Sequence, residues 1–213
     1  MNGKFWLGDC LELMKQIPDS GVDVVLTDVP YNEVNRKSSG LRNLDKGLAD
    51  SSIFSLDDFC KNAVRVTKGS IYVFCGTEQV SDLRKNFVNL GMTTRLGIWE
   101  KTNPSPMNGQ RLWLSGLECC VFARKSNATF NEHCKNPIWR FAVERSKIHD
   151  TPKPVKLFEH LILASSNPND LILDPFAGSG TTAVAAERTG RRWICIEKQP
   201  EYFYPALARI ASC

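Results

Sequence analysis

Apolar positions along this chain alternate between two rhythms. Residues 10–16 place them at helical spacing, and Pro18, Asp19, Ser20 and Gly21 then interrupt the chain. The following stretch at 22–27, VDVVLT, is a nearly unbroken β-branched run. Such runs belong to strands covered on both faces in a parallel sheet. From 32 to 50 the chain is polar and carries Ser38, Ser39, Gly40 and Gly47 among scattered basic residues, which predicts a long mobile loop. Periodicity predicts a helix at 56–66, a strand at 70–75, and a helix at 78–90 that Gly91 stops. Runs at 94–100 and 118–124 read as strands, joined by a connection rich in turn formers and too short for a crossover helix. They are expected to form an antiparallel pair at a sheet edge. No period emerges between 125 and 150, where Trp139, Arg140, Phe141 and Arg145 interleave, and this stretch is the expected inserted recognition element.

The last third repeats a strand and helix order. A helix at 155–165 leads to a strand at 171–174 (LILD), then the turn PFAGSG, a helix at 181–188, Gly190 and a strand at 193–197. This is a complete βαβ unit with a glycine turn between strand and helix. The chain as a whole reads as an α/β protein with helices on both faces of a mostly parallel sheet.

With 213 residues the chain is expected to form one domain around one substantial core. Hydrophobic residues at 42% and charged residues at 23% exclude disordered and fibrous classes. No segment approaches the roughly 18 apolar residues of a membrane span, so a cytoplasmic protein is expected. Eight cysteines show no CxxC spacing, which predicts reduced thiols rather than a disulfide scaffold, and His133 with Cys134 is too sparse for a zinc site. The net charge of +4 is unevenly placed: residues 101–160 hold ten Lys or Arg against five acids, and the remainder holds 17 against 18. A regional basic excess suits a polyanion partner.

Two short motifs carry candidate chemistry. In Gly178, Ser179 and Gly180, followed by Thr181 and Thr182, glycines permit a sharp turn and close approach to a ligand, and the helix start offers unsatisfied NH groups. Glu197 follows Gly178 by 19 positions at the end of the next strand, where an acid typically accepts from ribose hydroxyls. With Ala183 the turn also satisfies GxGxxG/A, so a dinucleotide reading stays open, whereas the missing GK[ST] closes a P-loop reading. The second motif is Asp28, Val29, Pro30 and Tyr31 at the end of VDVVLT. Ligands of parallel sheets gather at the carboxyl ends of strands, so the two motifs are expected to face one cleft.

Together, DVPY and DPFAGSGTT, with GDCLELM ahead of the first and TPKP ahead of the second, resemble the permuted group of DNA methyltransferases that modify exocyclic amino groups. The matching positions run from Leu7 to about Tyr202. The resemblance implies a Rossmann-like fold dependent on S-adenosylmethionine, with double-stranded DNA as partner and, often in such small enzymes, a homodimer. It implies that Phe176, Ala177, Gly178, Ser179 and Gly180 wrap the cofactor, that Asp174 lies close to its methionine part, that Pro175, Thr181 and Thr182 belong to the same cofactor site, and that Glu197 takes its ribose. Asp9 would accept from the adenine amino group of the cofactor, and Thr151 and Lys153 would hold the methionine end. The plainer alternatives are helix capping for Asp9 and a solvated cation for Lys153.

In the same reading Asp28, Val29, Pro30 and Tyr31 are catalytic. Asp28 and the Val29 carbonyl accept the two amino hydrogens of a flipped adenine, and Tyr31 stacks on the base. The resembling family has proline where this chain has Val29, and Val29→Pro is expected to change the rate only modestly. A leading Asp points to adenine N6, with cytosine N4 as the nearest rival. A DNA-binding module without catalysis and an NAD-linked oxidoreductase are the rivals from other classes. Arg111, Arg140, Arg145 and Lys147 are the candidate DNA contacts, and a short recognition site is expected.

Overall fold

A computed structural model describes residues 2–30, 55–106, 109–144 and 153–212. Eight strands, β1 (Gly3–Leu7), β2 (Val22–Asp28), β3 (Thr67–Cys75), β4 (Thr93–Lys101), β5 (Leu117–Arg124), β6 (Ile138–Phe141), β7 (Leu171–Asp174) and β8 (Arg192–Glu197), form one sheet in the order β1-β8-β7-β2-β3-β5-β4-β6. All neighbours are parallel except β5, which runs against both β3 and β4.

Among the described residues six helices cover the two faces: α1 (Cys10–Met14), α2 (Leu56–Val66), α3 (Val80–Asn89), α4 (Val155–Ser165), α5 (Thr181–Arg188) and α6 (Pro200–Ala211). The β-branched run explains this layout. Val22 and Val25 enter a core with Met14 of α1, Phe59 of α2 and Leu83 of α3, while Val24 and Leu26 enter a second core with Leu161 of α4, Ala183 of α5 and Ile210 of α6. Alternation along Val24, Val25 and Leu26 delivers one strand's side chains to two apolar compartments, the register shift between Val22 and Val24 puts Val22 on the side of Val25, and each fully buried aliphatic contributes roughly 1.5–3 kcal/mol. Helix α2 starts where expected because Ser55 Oγ accepts from Asp58 N at 3.2 Å and two acids occupy the first turn. Gly91 adopts φ +81 after α3, the left-handed geometry that closes a helix cheaply in glycine.

The antiparallel pair expected at the edge is present as β4 and β5, but it does not form the edge. β6 pairs with β4 through Ile98↔Ile138 to Lys101↔Phe141 and lies outermost. Part of the stretch expected as a recognition insertion is thus a sheet strand. Its signal is hidden because the strand is short: Trp139 turns inward against the Tyr72 and Phe74 rings and Phe141 packs on the same core, while Ile138 and Arg140 face solvent, so only two inward residues alternate with an exposed pair that itself includes an isoleucine. The expected loop at 32–50 lies outside the described residues. β1 and α6 are additions to the sequence reading. Gly3 of β1 faces the Trp193 indole so closely that a Cβ there would lie 2.2 Å from the ring, which explains a strand that begins with no side chain.

Candidate active site

The strand order sets four acids in a row. β1, β8, β7 and β2 are successive neighbours, and their carboxyl ends lead to Asp9, Glu197, Asp174 and Asp28. From β2 the chain proceeds towards β3, and from β7 towards β8, so the sheet reverses its winding between β2 and β7. Such switch points open a crevice for ligands.

On the β7 side the glycine turn is fixed from three directions. Gly178 and Gly180 take φ of +50 and +77, and a Cβ on Gly180 would meet Ile210 Cδ1 of α6 at 3.0 Å. The Arg209 guanidinium of α6 donates to Ser179 O at 3.1 Å and to Thr181 Oγ1 at 3.3 Å. Glu197 Oε2 accepts from Gly178 N at 2.8 Å and Oε1 from Gln199 N at 2.8 Å. Burial pushes the Glu197 carboxyl above its usual range, against the pull of those backbone donors. Asp9 does cap α1, accepting from Leu11 N at 3.0 Å, while its other oxygen takes Lys198 Nζ at 3.2 Å. Gly8 N donates to Glu197 O at 2.9 Å, which seats Asp9 beside Glu197.

Asp174 is the strut between the two halves. Its Oδ1 accepts from Thr27 Oγ1 at 2.7 Å and from Phe176 N at 3.1 Å, and its Oδ2 accepts from Thr182 Oγ1. Burial raises its carboxyl from an ordinary 3.8 to about 6 despite these donors. The folded chain therefore holds a proton there that the unfolded chain has released, and this group's contribution to stability falls as pH rises from about 4 through about 6. Full ionisation costs on the order of 3 kcal/mol. Asp174→Asn, with no charge to desolvate, is expected to gain stability relative to the parent between pH 5 and pH 7.5 in thermal melts; a difference that stays flat with pH contradicts this assignment.

On the β2 side, Val29 is buried and its N–H donates to Phe74 O at 3.1 Å. Pro30 O accepts from Gln79 Nε2 at 2.8 Å, and Gln79 Oε1 in turn accepts from Gly76 N at 2.9 Å. Gln79, buried in a 3-10 turn after β3 (Thr77–Gln79), is thus a holder of the DVPY turn that no sequence pattern had marked. Proline at position 29 would delete the Phe74 contact, worth roughly 0.5–1.5 kcal/mol net. We expect Val29→Pro to lower the melting temperature by about 2–6 °C and to keep methylation within about fivefold. An abolished activity would show that the turn depends on the Val29 N–H.

Lys153 is no solvated cation. Its ammonium lies 2.5 Å from Asp28 Oδ2 and 3.0 Å from Glu118 Oε2, and its carbonyl accepts from Thr181 Oγ1 at 3.4 Å, which brings the TPKP segment against the start of α5. Asp28 Oδ1 is buried with no hydrogen-bond partner among the described residues. Tyr31, Thr151, Arg145 and Lys147 lie outside the described residues. Of the expected DNA contacts that are described, Arg111 is exposed and Arg140 Nε donates to Glu100 Oε2 at 2.9 Å. Between them in sequence stands Trp113, fully exposed. Among the described residues no group of three or more His, Cys, Asp and Glu is placed to hold a metal ion, so His133 and Cys134 find no further ligand there.

Comparison with known proteins agrees with this geometry. The sequence matches the DNA methylase family of N6 and N4 methyltransferases over residues 22–208. It is 31% identical to the type II methyltransferase M.HinfI of Haemophilus influenzae, covering 95% of this chain and 67% of that protein. It is 30% identical to the type II methyltransferase M2.LlaDCHI of Lactococcus lactis subsp. cremoris, covering 95% and 87%. The fold superposes on the M1.HpyAVI–SAM complex with a TM-score of 0.77 at 27% identity, over 97% of this chain and 99% of that one. The cytosine-N4-specific PvuII DNA methyltransferase shares the fold, with a TM-score of 0.77 at 22% identity, over 98% and 86%. The dinucleotide oxidoreductase reading ends here, because that reading needed only the glycine turn and Glu197, whereas the family match takes in the DVPY strand as well: this chain belongs to the DNA methylase family of N6 and N4 methyltransferases.

Proposed function

We propose that the chain transfers a methyl group from S-adenosylmethionine to the N6 amino group of an adenine everted from double-stranded DNA. The observation that carries this reading is the adjacency of β2 and β7: the buried, unpaired Oδ1 of Asp28 stands one strand away from the glycine turn. The residues of the turn fit the donor. Gly178 and Gly180 leave the backbone bare, and Glu197 keeps a lone pair on each oxygen for the ribose hydroxyls. We assign Asp9 to the adenine of the donor, Asp174 through Thr182 to its wrapping, and Thr151 with Lys153 to the methionine end. When bound, the donor supplies a sulfonium methyl that is electrophilic without further activation.

The remaining work falls to the chain. An adenine amino nitrogen is a poor nucleophile because its lone pair is delocalised into the ring. Asp28 and the Val29 carbonyl accept its two hydrogens, draw the nitrogen towards tetrahedral geometry and localise the pair. The nitrogen–carbon bond forms as the carbon–sulfur bond breaks, its electron pair passes to sulfur, and the amino group then releases one proton to water. Rate depends on holding nitrogen and methyl carbon at roughly 3–3.5 Å. Eversion costs a few kcal/mol, which stacking on Tyr31 offsets in part. DNA approaches from the face of the strand ends, where Arg111 and Trp113, in the connection that follows β4, supply phosphate and stacking contacts. We further propose a single catalytic domain that acts in the bacterial cytoplasm, with the parts of 125–150 beyond β6 and the 32–50 stretch reading a short site.

A carboxylate at the head of the tetrapeptide favours adenine. Mass spectrometry of nucleosides from duplex DNA treated with the protein and a deuterated-methyl donor separates the products: labelled N6-methyladenine is expected, and labelled N4-methylcytosine replaces the adenine reading with its nearest rival.

A further inference from the structure

Four charged side chains from four elements form one line ending at Asp28. Lys101, last residue of β4, donates to Glu118 Oε1 at 2.8 Å; Glu118, on β5, holds Lys153 Nζ at 3.0 Å through Oε2; and Lys153, just before α4, reaches Asp28 Oδ2 at 2.5 Å. The signs alternate along the line. It is also shielded, since the side chains of Lys101, Glu118 and Lys153 are 16%, 19% and 8% exposed. Attraction in such surroundings is far less screened than on an open surface, and removing one member leaves its neighbour buried and uncompensated.

The line divides the two oxygens of Asp28 into different tasks. Oδ2 is taken by Lys153, and Oδ1 is left as a buried acceptor. A lysine amine carries three donors on a flexible stem, so one carboxylate alone would not fix its direction. Glu118 supplies the second anchor, and Lys101 holds Glu118 in turn, with Lys101 N also tied to Gly116 O at 2.8 Å. Phe74 closes the side, with the Lys153 ammonium 5.5 Å from its ring centroid. Other titratable groups facing this corner are Asp174 on β7, Glu78 in the turn after β3, and the thiols of Cys75, Cys119 and Cys120. Burial raises all three thiols, so they stay neutral and add no competing charge.

We propose that Glu118 is a positioning residue for methyl transfer: by anchoring Lys153 it fixes the Asp28 carboxylate with Oδ2 engaged and Oδ1 presented to the target amino group. The inference rests on Asp28 being the acceptor for that group. Without the Glu118 charge, Lys153 turns wholly onto Asp28, pulls its electron density away from the target and loosens the direction of Oδ1. Glu118 itself contacts neither donor nor DNA in this scheme, so a change in donor affinity reaches the site only through Lys153 and is removed by saturating donor.

Single-turnover methylation of a duplex by Glu118→Gln tests it. At saturating donor the rate is expected to fall about 10- to 100-fold while the dissociation constant of the duplex shifts less than about threefold, a split that general loosening of the fold would not produce. Lys153→Met is expected to lose a similar factor, and the double variant to be no slower than the slower single, because both cut one line. Lys101→Met, which leaves Lys153 and Glu118 in place, is expected to slow turnover about 3- to 5-fold and serves if Glu118→Gln fails to fold. Unchanged rates, losses that saturating donor and duplex restore, or effects that multiply in the double variant overturn the proposal. Asp28→Ala in the same assay separates the two layers: retained methylation removes the Asp28 reading itself, whereas a dead Asp28→Ala beside an unaffected Glu118→Gln removes only the role of Glu118.

Discussion

Asp28→Asn is expected to cut single-turnover methylation by at least about 1000-fold while S-adenosylhomocysteine binds within about threefold of the parent affinity. The change is isosteric, so the loss cannot be charged to a cavity. Its force comes from Lys153. The ammonium sits 2.5 Å from Oδ2 and donates only, so in the variant it claims the single amide oxygen. The amide NH2 is then turned to the place of Oδ1, and two donors face each other where the target amino group needs an acceptor. Preorganised acceptors of this type account for large shares of catalytic rate, and reversing one adds repulsion to the loss. Isothermal titration with S-adenosylhomocysteine and a quench-flow assay on duplex DNA give the two numbers. Activity within tenfold of the parent would mean that another group accepts from the amino hydrogens.

The second large effect belongs to Glu197. Its two oxygens hold Gly178 N and Gln199 N at 2.8 Å each, so the carboxylate both shapes the glycine turn and stands ready for the ribose. Hydrogen bonds to a charged group contribute roughly 1.5–3 kcal/mol each, and Glu197→Ala removes the acceptor for backbone and ligand together. Donor affinity is expected to weaken about 100-fold or more, while the rate at saturating donor stays within about fivefold, because Glu197 lies two strands from Asp28. Equal losses in affinity and saturated rate would contradict a role confined to donor binding.

Local signals explain what was legible from the chain alone. VDVVLT and LILD read as buried parallel strands because their aliphatic side chains enter apolar cores on both faces, and Gly178, Gly180 and Gly91 read as turns because their φ values are positive. Helix α2 was legible from the apolar periodicity of 56–66, and its Ser55 cap was added by the fold. β6 escaped because it has only two inward residues, Trp139 and Phe141, and Trp139 is recognised only against Tyr72 and Phe74, contributed from β3. The same holds at the site. The family resemblance marked Lys153 for the methionine end, yet its partner Asp28 is 125 positions away and Glu118 is one letter in the strand LECCVFAR. Pairings that depend on sheet order leave no period in the sequence, so Gln79 under Pro30 and Lys101 behind Glu118 became visible only with the fold.

A crystal structure of the protein with S-adenosylhomocysteine bound is the most direct measurement. The thioether sulfur is predicted to lie in the crevice between β2 and β7, facing Asp28 Oδ1, with the ribose on Glu197 and the adenine near Asp9. A ligand seated elsewhere, or one whose sulfur points away from the tip of β2, would contradict the shared cleft.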